Sequence, residues 1–330
     1  MIVQDESGRE APSSRGERPE RSERPERPDD LLHDPALRAA LAAPIGLREA
    51  TFAAAGQTVV AFERRRLGLR QFELGPLGLC APPCRDDAQA DALAIFLREA
   101  PQHALRVRVN LSPFEPHADA LVATARAAGY RIEPLQTHVL ALDRPLADIR
   151  AGYHATKRSQ VRRVPAADSL IACTRERAAL DAYFGVYAAS AARWGRGAPP
   201  YPRALFEALL ASPCTQLWTH HVAGRLACAM VVLAGREQAL YWQGVSHIEA
   251  DQKAAYPMAR LFDAVVQHLH AQGVARFNLG ASQGLPTVQR FKEEFGAQPT
   301  GYTSLVYESR LWRAAQALRG RRPAGAGAGG

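Results

Sequence analysis

The chain has 330 residues, of which 47% are hydrophobic and 22% are charged. This length and composition suit two globular domains or one large one, with a sizeable core. The five cysteines, an odd number, argue against a disulfide framework. The first residues lack the apolar core of a signal peptide, and no apolar run approaches membrane-spanning length. The sequence therefore predicts a cytoplasmic protein without membrane insertion.

Basic residues exceed acidic ones by 41 to 33, which gives a formal net charge of +8. This excess suits an anionic ligand such as a nucleotide, CoA or tRNA, and it is equally compatible with a solvated, arginine-rich surface. Lysine is rare, since the chain contains only Lys157, Lys253 and Lys292. Each of them lies in a segment that carries other candidate site residues.

The two ends of the chain are poor in large apolar residues. Gly8–Asp30 repeats Glu-Arg-Pro, and residues 319–330 are rich in Gly, Ala and Arg. We predict that the segments 1–32 and 319–330 are disordered. Between them, the order strand, strand, helix, strand, helix, strand occurs twice, which indicates an internal repeat. We predict an N-terminal domain over 33–144 and a C-terminal domain over 145–318. The fold class is α/β (α+β), with mixed sheets flanked by helices.

Hydrophobic periodicity predicts the elements of both domains. In the first domain the strands are Thr58–Glu63, Leu69–Leu74, Leu105–Asn110, Tyr130–Glu133 and His138–Leu142, and the helices are Ala88–Arg98 and His117–Ala128. The second domain is predicted to begin with a linker helix over Leu146–Arg163. Its strands are Ser169–Thr174, Leu226–Leu233, Ala239–Val245, Ala275–Leu279 and Tyr302–Tyr307, and its helices are Arg177–Ala192, Arg203–Ala211, Pro257–Ala271 and Leu285–Phe295.

The stretch Arg276–Gly296 is predicted to form a short strand, a glycine-rich turn and a helix. Val288, Phe291 and Phe295 recur at helical spacing and are expected to pack on the core. Lys292 lies on the flank of this stripe, so its stem can follow the core while its ammonium reaches a cleft. A cation beside a turn at the end of a strand is where an open α/β sheet usually keeps its site.

Phe291, Lys292, Phe295 and Gly296 spell Phe-Lys-x-x-Phe-Gly after a strand and a Gly-x-Ser turn. With this order of strand, turn and motif, the chain resembles the FemAB-like acyltransferases of the GNAT superfamily. The resemblance covers most of Leu31–Leu318 and implies two tandem GNAT-like domains. It also implies an N-acyltransferase that moves an acyl or aminoacyl group from a thioester or ester donor to an amine.

The resemblance implies acyl-CoA or aminoacyl-tRNA as the donor substrate, no tightly bound cofactor, and a small-molecule or peptide amine as acceptor in the cleft between the domains. Some relatives carry a long helical hairpin in the second domain. Here only Gly195–Pro202 joins the two helices, which favours acyl-CoA over tRNA. Two alternatives are an aminoacyl-tRNA-dependent transferase acting on a cell-wall precursor and a non-catalytic double-GNAT protein that binds an acidic partner.

Acyl transfer to an amine depends mainly on positioning and on stabilisation of the oxyanion. We expect the charge of Lys292 to stabilise the oxyanion, and we expect Gln243 and Ser282 to make polar contacts in the site. Strand alternation places Tyr241 and Gln243 on one face and Trp242 on the other. The alternatives are an exposed helix-terminal cation for Lys292 and a satisfied core amide for Gln243.

The turn Gly280–Gly284 also matches Gly-x-Ser-x-Gly, the nucleophile turn of α/β-hydrolases. That fold needs its acid and then its histidine after the serine. The last histidine of the chain, His270, precedes Ser282. Chain order therefore excludes this class of hydrolase.

The loop Ser246–Tyr256 precedes a helix that starts at Pro257, a favourable first helical residue. The free N–H groups of that helix favour an anion. We predict that Lys253, Tyr256 and Gly280 bind the donor. The resemblance places the CoA pyrophosphate on a glycine-containing loop at this point, and the present loop contains no glycine.

Cations crowd the end of the predicted linker helix, and Lys157, Arg158 and Arg162 are predicted to bind a substrate. The alternative is that they only complement the helix dipole. No metal site is predicted, because adjacent strand residues such as His220 and His221 face opposite ways. Trp194 is expected to pack in the core.

Overall fold

The structure is a computed structural model that describes residues 28, 30–66, 68–163, 168–193, 195, 197–282 and 284–320. Most of the predicted tail 1–32, residues 321–330 and Trp194 lie outside the described residues. Leu31 and Leu32 fall inside the predicted tail, yet both are buried.

The helices are α1 (Pro35–Ala42), α2 (Asp87–His103), α3 (Ala118–Ala127), α4 (Leu146–Ala151), α5 (Ala155–Arg162), α6 (Arg177–Arg193), α7 (Arg203–Ala211), α8 (Pro257–Ala271), α9 (Pro286–Glu294) and α10 (Arg310–Gly320). The strands are β1 (Arg48–Ala54), β2 (Gln57–Arg66), β3 (Leu69–Leu74), β4 (Arg106–Asn110), β5 (Arg131–Ala141), β6 (Ser169–Thr174), β7 (Thr215–Val222), β8 (Arg225–Ala234), β9 (Gln238–Ser246), β10 (Arg276–Asn278) and β11 (Gln298–Glu308). Within the described part of the chain, no helix combines the length and apolarity needed to cross a membrane.

The described chain divides into two compact units, each built from two stretches of sequence. Unit 1 comprises the described residues up to Ile45 together with Gln136–Thr300. Unit 2 comprises Gly46–Leu135 together with the described residues from Gly301 on. The predicted domains 33–144 and 145–318 stay a prediction. The units differ from them because α1 packs on α7 in unit 1, while β11 pairs with β4 in unit 2.

Unit 2 contains strands in the order β1-β2-β3-β4-β11. The pair β3–β4 is parallel, and the pairs β1–β2, β2–β3 and β4–β11 are antiparallel. Helix α2 packs on this sheet and on α3. The core includes Phe72, Phe96 and Val107, all 2% exposed or less.

Unit 1 contains strands in the order β5-β10-β9-β8-β7-β6, with β9 and β10 parallel. Eight consecutive residues of β8 are buried, and successive side chains of a strand point to opposite faces. Both faces of this sheet are therefore covered. Met230 and Val232 pack with α8 in one core cluster, while the alternate residues Val231 and Leu233 are buried on the other face.

Most predicted elements of unit 1 are confirmed, and Pro257–Ala271 has the predicted bounds. The predicted strands Tyr130–Glu133 and His138–Leu142 are one strand, β5. The sequence reading missed α1, β1 and α10, and α10 extends to Gly320 inside the second predicted tail.

The prediction of a single linker helix over Leu146–Arg163 is wrong, because the helix is interrupted between α4 and α5. The break inserts Tyr153 into the core, where it is 1% exposed and packs edge-on against Phe295 with ring centroids 5.0 Å apart. The backbone N–H of His154 donates to the carbonyl of Glu294 at 2.7 Å, which satisfies a carbonyl in the last turn of α9. A continuous helix could not make these contacts.

Gly296 follows α9 with φ +77°, in the left-handed region that favours glycine. A Cβ atom at this position would lie 2.9 Å from the carbonyl oxygen of Gly152 in the helix break. The glycine of Phe-Lys-x-x-Phe-Gly therefore serves both backbone conformation and the close approach of two chain segments.

Replacement of Gly296 by alanine should lower the free energy of unfolding by at least about 2 kcal/mol. Gly224→Ala is the matched control, since Gly224 also has a positive φ, +70°, and its Cβ would meet nothing within 4 Å. That control should cost only the conformational penalty of about 1–2 kcal/mol. Equal losses in chemical denaturation would contradict the role given to the Gly152 contact.

Candidate active site

The turn that follows β10 is fixed by the side chain of Asn278. Its Oδ1 accepts hydrogen bonds from the backbone N–H of Gly280 at 2.9 Å and from Oγ1 of Thr137 at 2.6 Å. Gly280 has φ +70°, a conformation that non-glycine residues rarely adopt. These contacts hold the Gly280 carbonyl in a set orientation at the end of the strand.

Lys292 reaches this turn from α9. Its side chain is 3% exposed, and Nζ donates to the carbonyl oxygen of Gly280 at 2.7 Å and to Oγ of Ser282 at 3.2 Å. The structure thus brings together three residues that the sequence predicted for the site. The expected packing of Val288 is wrong, since Val288 is 36% exposed and α9 buries Lys292 instead.

The ammonium of Lys292 is buried without a compensating carboxylate, because no ion pair with Lys292 occurs in the described part of the chain. Burial lowers the pKa of Lys292 to about 8, since the charged form loses its solvation. An ammonium has three N–H donors, and the turn accepts two of them. The third donor has no acceptor in the described part of the chain.

The strands beside this turn diverge. The pairing of β10 with β9 runs from Arg276–Gln238 to Asn278–Leu240, whereas β9 continues to Ser246. A Cβ built on Gly280 would lie 3.6 Å from the carbonyl oxygen of Tyr241, so the turn lies beside the start of the unpaired segment. The edge of β9 from Tyr241 onward therefore offers backbone donors and acceptors to a ligand.

A β-bulge on β9 corrects the predicted strand faces. Val231 pairs with Gln243 and Val232 pairs with Tyr241, so Trp242 is an extra residue on its strand. Directly paired residues share a face, which puts Tyr241 and Gln243 on opposite faces of the sheet. Gln243 is half-buried and its side-chain amide has no hydrogen-bond partner in the described chain, so it is not a satisfied core amide.

Tyr241 lies along the same face as Gly244. A Cβ at Gly244 would fall 1.8 Å from the phenol oxygen of Tyr241, so the tyrosine ring occupies the space that a side chain would fill. Burial raises the pKa of Tyr241 well above its usual range. Tyr241 is therefore a neutral phenol that packs against the core of unit 1.

The predicted donor loop is largely a 3-10 helix over Ala250–Ala255. Gln252 is 1% exposed and donates to the carbonyl of Val222 at 3.1 Å, so it anchors the loop. Lys253 is exposed. Tyr256 has φ +49°, and the guanidinium of Arg163 lies 5.0 Å from its ring centroid.

The three predicted substrate-binding cations of α5 have different surroundings. Nζ of Lys157 lies 3.3 Å from Oε2 of Glu294 and within 6 Å of the ring centroids of Phe291 and Phe295, so it joins α5 to α9. Arg158 and Arg162 instead line a cavity beside α8.

Sequence reasoning missed one buried polar residue next to α9. His138 is 1% exposed and neither ring nitrogen has a hydrogen-bond partner in the described chain. Its Nε2 lies 3.6 Å from Oε1 of Glu293, and its carbonyl accepts from the N–H of Leu279 at 2.8 Å. The sequence signal that could have indicated His138 is a histidine among the apolar residues of a predicted strand.

Residues 151–293 match the family of acetyltransferase (GNAT) domains. A comparison with curated protein sequences gives no match. Among solved structures, FemX is similar with a TM-score of 0.66 and 11% identity, over 88% of this chain and 95% of that one. The chain therefore has a GNAT/FemAB-like fold, as the Phe-Lys-x-x-Phe-Gly sequence predicted.

Two further solved structures have the same fold. The C-terminal domain of a putative lysylphosphatidylglycerol synthetase from Agrobacterium fabrum gives a TM-score of 0.56 at 16% identity, over 88% of this chain and 91% of that one. A tandem GNAT protein from the clavulanic acid biosynthesis pathway gives 0.51 at 16% identity, over 85% and 90%. The predicted fold class, α/β with tandem GNAT-like domains, is confirmed.

The buried ammonium should make stability depend on pH in a defined direction. The pKa of Lys292 is lower in the folded protein than in the unfolded chain, so burial of the charge costs free energy below about pH 8. This cost is relieved as pH rises from about 8 to about 10.4, the ordinary pKa of lysine. Wild type should therefore gain stability relative to Lys292→Met over this range, at about 1.4 kcal/mol per unit of pKa shift.

Denaturant titrations of both proteins between pH 7 and pH 10 test this expectation. Their difference isolates position 292, because all other titrating groups are shared. A difference that stays constant with pH would contradict the burial of a charged lysine.

Proposed function

We propose that the protein is an N-acyltransferase that moves an acyl group from a thioester donor, acyl-CoA, to an amine acceptor. The observation that carries this proposal is the ammonium of Lys292, buried without a carboxylate at a gap between two parallel strands. The match of residues 151–293 to GNAT acetyltransferase domains supports the same reaction class.

The chemistry requires an amine to attack the acyl carbonyl, which converts the carbonyl oxygen into an oxyanion. Collapse of this tetrahedral intermediate breaks the bond to the donor's sulfur and forms the amide. The proton lost from the amine nitrogen protonates the departing thiolate, so the second product is a thiol. A preorganised donor in a site with little water stabilises the oxyanion strongly. The free N–H of Lys292 supplies such a donor, and its contacts with Gly280 and Ser282 fix the ammonium before substrate arrives.

Other predicted site residues complete the proposal. The amide of Gln243 contacts the acyl group or the acceptor from the edge of β9, where it has no partner in the described chain. Ser282 acts through the orientation of Lys292. Lys253, Tyr256 and Gly280 are proposed to contact the donor near the N-terminus of α8, where helix N–H groups favour anions. The proposal places the reaction in the cytoplasm.

A charged tRNA is the second candidate donor. The similar structure from Agrobacterium fabrum is named for a lysylated product, which favours an aminoacyl donor in this fold. The acceptor is again an amine, on a small molecule or a peptide such as a cell-wall precursor. A non-catalytic binding protein is the weaker alternative, because a buried uncompensated charge costs stability that simple binding does not require.

Lys292→Met and Lys292→Arg should each lower the transfer rate by at least about tenfold, or 1.4 kcal/mol of barrier. Methionine keeps the volume of the stem and removes the charge. Arginine keeps the charge, but its planar guanidinium cannot occupy the same pocket on the turn. The measurement is single-turnover transfer, with the donor first identified by mass analysis of ligands retained in native purification.

The melting temperature of Lys292→Met at pH 7 should not fall, because the variant removes a desolvated charge. Loss of rate with a retained fold would support the catalytic role. Full rate in Lys292→Arg would contradict a specific lysine, and full rate in both variants would place the active site elsewhere.

A further inference from the structure

A second cationic site lies beside α8, in a cavity of about 660 Å³ between α4, α5 and the first turns of α8. Five arginines and one aspartate contribute to its wall: Arg150, Arg158, Arg162, Arg163, Arg260 and Asp263. The size is that of a small-molecule site. None of these residues belongs to the predicted donor loop.

The aspartate in the wall is already neutralised. Arg150 donates to both carboxylate oxygens of Asp263, with Nε–Oδ1 at 2.9 Å and Nη2–Oδ2 at 2.6 Å. Tyr153 donates its hydroxyl to the same carboxylate at 3.2 Å. This group anchors α4 to α8 and leaves four positive charges in the wall without a carboxylate.

The remaining guanidiniums are held in place by neutral groups. Arg158 donates to the carbonyl of Ala151 at 3.0 Å, and Arg260 donates to the carbonyl of Arg163 at 2.6 Å. No acidic residue of the described chain forms an ion pair with Arg158, Arg162, Arg163 or Arg260.

Arg260 is the most informative member of the wall. It is 7% exposed, its Nε has no hydrogen-bond partner in the described chain, and burial lowers its pKa. Asp263 offsets part of this effect but forms its ion pair with Arg150. A buried guanidinium without an ion-pair partner is costly, and the structure retains it beside three other cations. The dipole of α5 accounts for only a few tenths of a kcal/mol to about 1 kcal/mol per cation. Fold stability alone therefore does not explain the cluster.

We infer that this cavity binds the diphosphate group of a nucleotide-type ligand. Guanidiniums bind phosphate oxygens in paired hydrogen bonds, and four arginines without an ion-pair partner in the described chain line this cavity. Four charges exceed what one phosphodiester needs, and they suit two adjacent phosphates. The inference rests on the proposed function only in that acyl-CoA carries such a group, as does a nucleoside-diphosphate-linked acceptor.

The test is calorimetric titration of the full chain with inorganic pyrophosphate, then with CoA and with UDP, at constant ionic strength. Arg162→Glu is the primary variant, because Arg162 is exposed and has no partner in the described chain. Arg177→Glu, an exposed arginine on α6 outside the cavity, is the charge-matched control. Arg162→Glu should weaken pyrophosphate binding at least about tenfold, while Arg177→Glu should not.

A second variant removes the buried charge. Arg260→Met should also weaken pyrophosphate binding at least about tenfold, with folding checked by thermal denaturation. Pyrophosphate affinity that is equal in wild type and Arg162→Glu would overturn the inference, as would equal losses in Arg162→Glu and Arg177→Glu. If Arg162→Glu weakens the binding of a tRNA acceptor stem but leaves pyrophosphate and CoA binding unchanged, the inference is overturned in favour of a nucleic-acid-binding surface.

The titrations with CoA and with UDP show whether the diphosphate belongs to the acyl donor or to a nucleoside-diphosphate-linked acceptor. Tight binding of either ligand supports the site. Binding is measured without turnover, so the two proposals fail separately. Unchanged pyrophosphate binding in Lys292→Met with loss of transfer would support both sites. Retained transfer in that variant would remove the catalytic role proposed for Lys292 and would leave the inference about the cavity unaffected.

Discussion

The candidate active site of unit 1 is arranged around one buried ammonium group. Lys292 is 3% exposed, and its charge is met by a carbonyl and a hydroxyl rather than by a carboxylate. A carboxylate would have neutralised the group and fixed its proton. Carbonyl and hydroxyl partners hold the side chain but leave its charge available, which is the arrangement that stabilisation of an oxyanion requires. The turn at Gly280 and the side chain of Asn278 follow from this need, because they aim the accepting carbonyl.

The position of α9 follows from a second constraint, the close approach of two backbones. Gly296 ends α9 where only glycine leaves room for the carbonyl of Gly152, and Tyr153 fills the core beside it. The break between α4 and α5 therefore supports the helix that carries Lys292. The ion pair of Lys157 with Glu294 adds a third contact between α5 and α9. The segment that comprises α4 and α5 thus supports α9, which carries Lys292, and also lines the arginine cavity.

Much of this site could be predicted from sequence, because its parts are local. Strand, glycine turn and helix are adjacent in the chain, so the meeting of Lys292 with Ser282 required no long-range contact. Hydrophobic periodicity gave a wrong prediction where tertiary contacts decide which face of a helix is buried. Val288 fits the apolar stripe of α9 but is exposed, because α9 buries the face that carries Lys292. A bulge at Trp242 reverses the expected face of Gln243, and alternation cannot reveal an inserted residue. The linker helix was mispredicted because its break is stabilised by α9, more than 130 residues later in sequence.

The chain's three lysines allow a direct measurement of the central claim. Nuclear magnetic resonance of protein labelled on lysine side chains gives few signals, and the signal lost in Lys292→Met belongs to Lys292. Its titration should have a midpoint near pH 8, because burial lowers the pKa of Lys292 to about 8. A midpoint at the ordinary value of about 10.4 would show a solvated amine. That result would contradict the account of a buried, uncompensated charge at the strand gap.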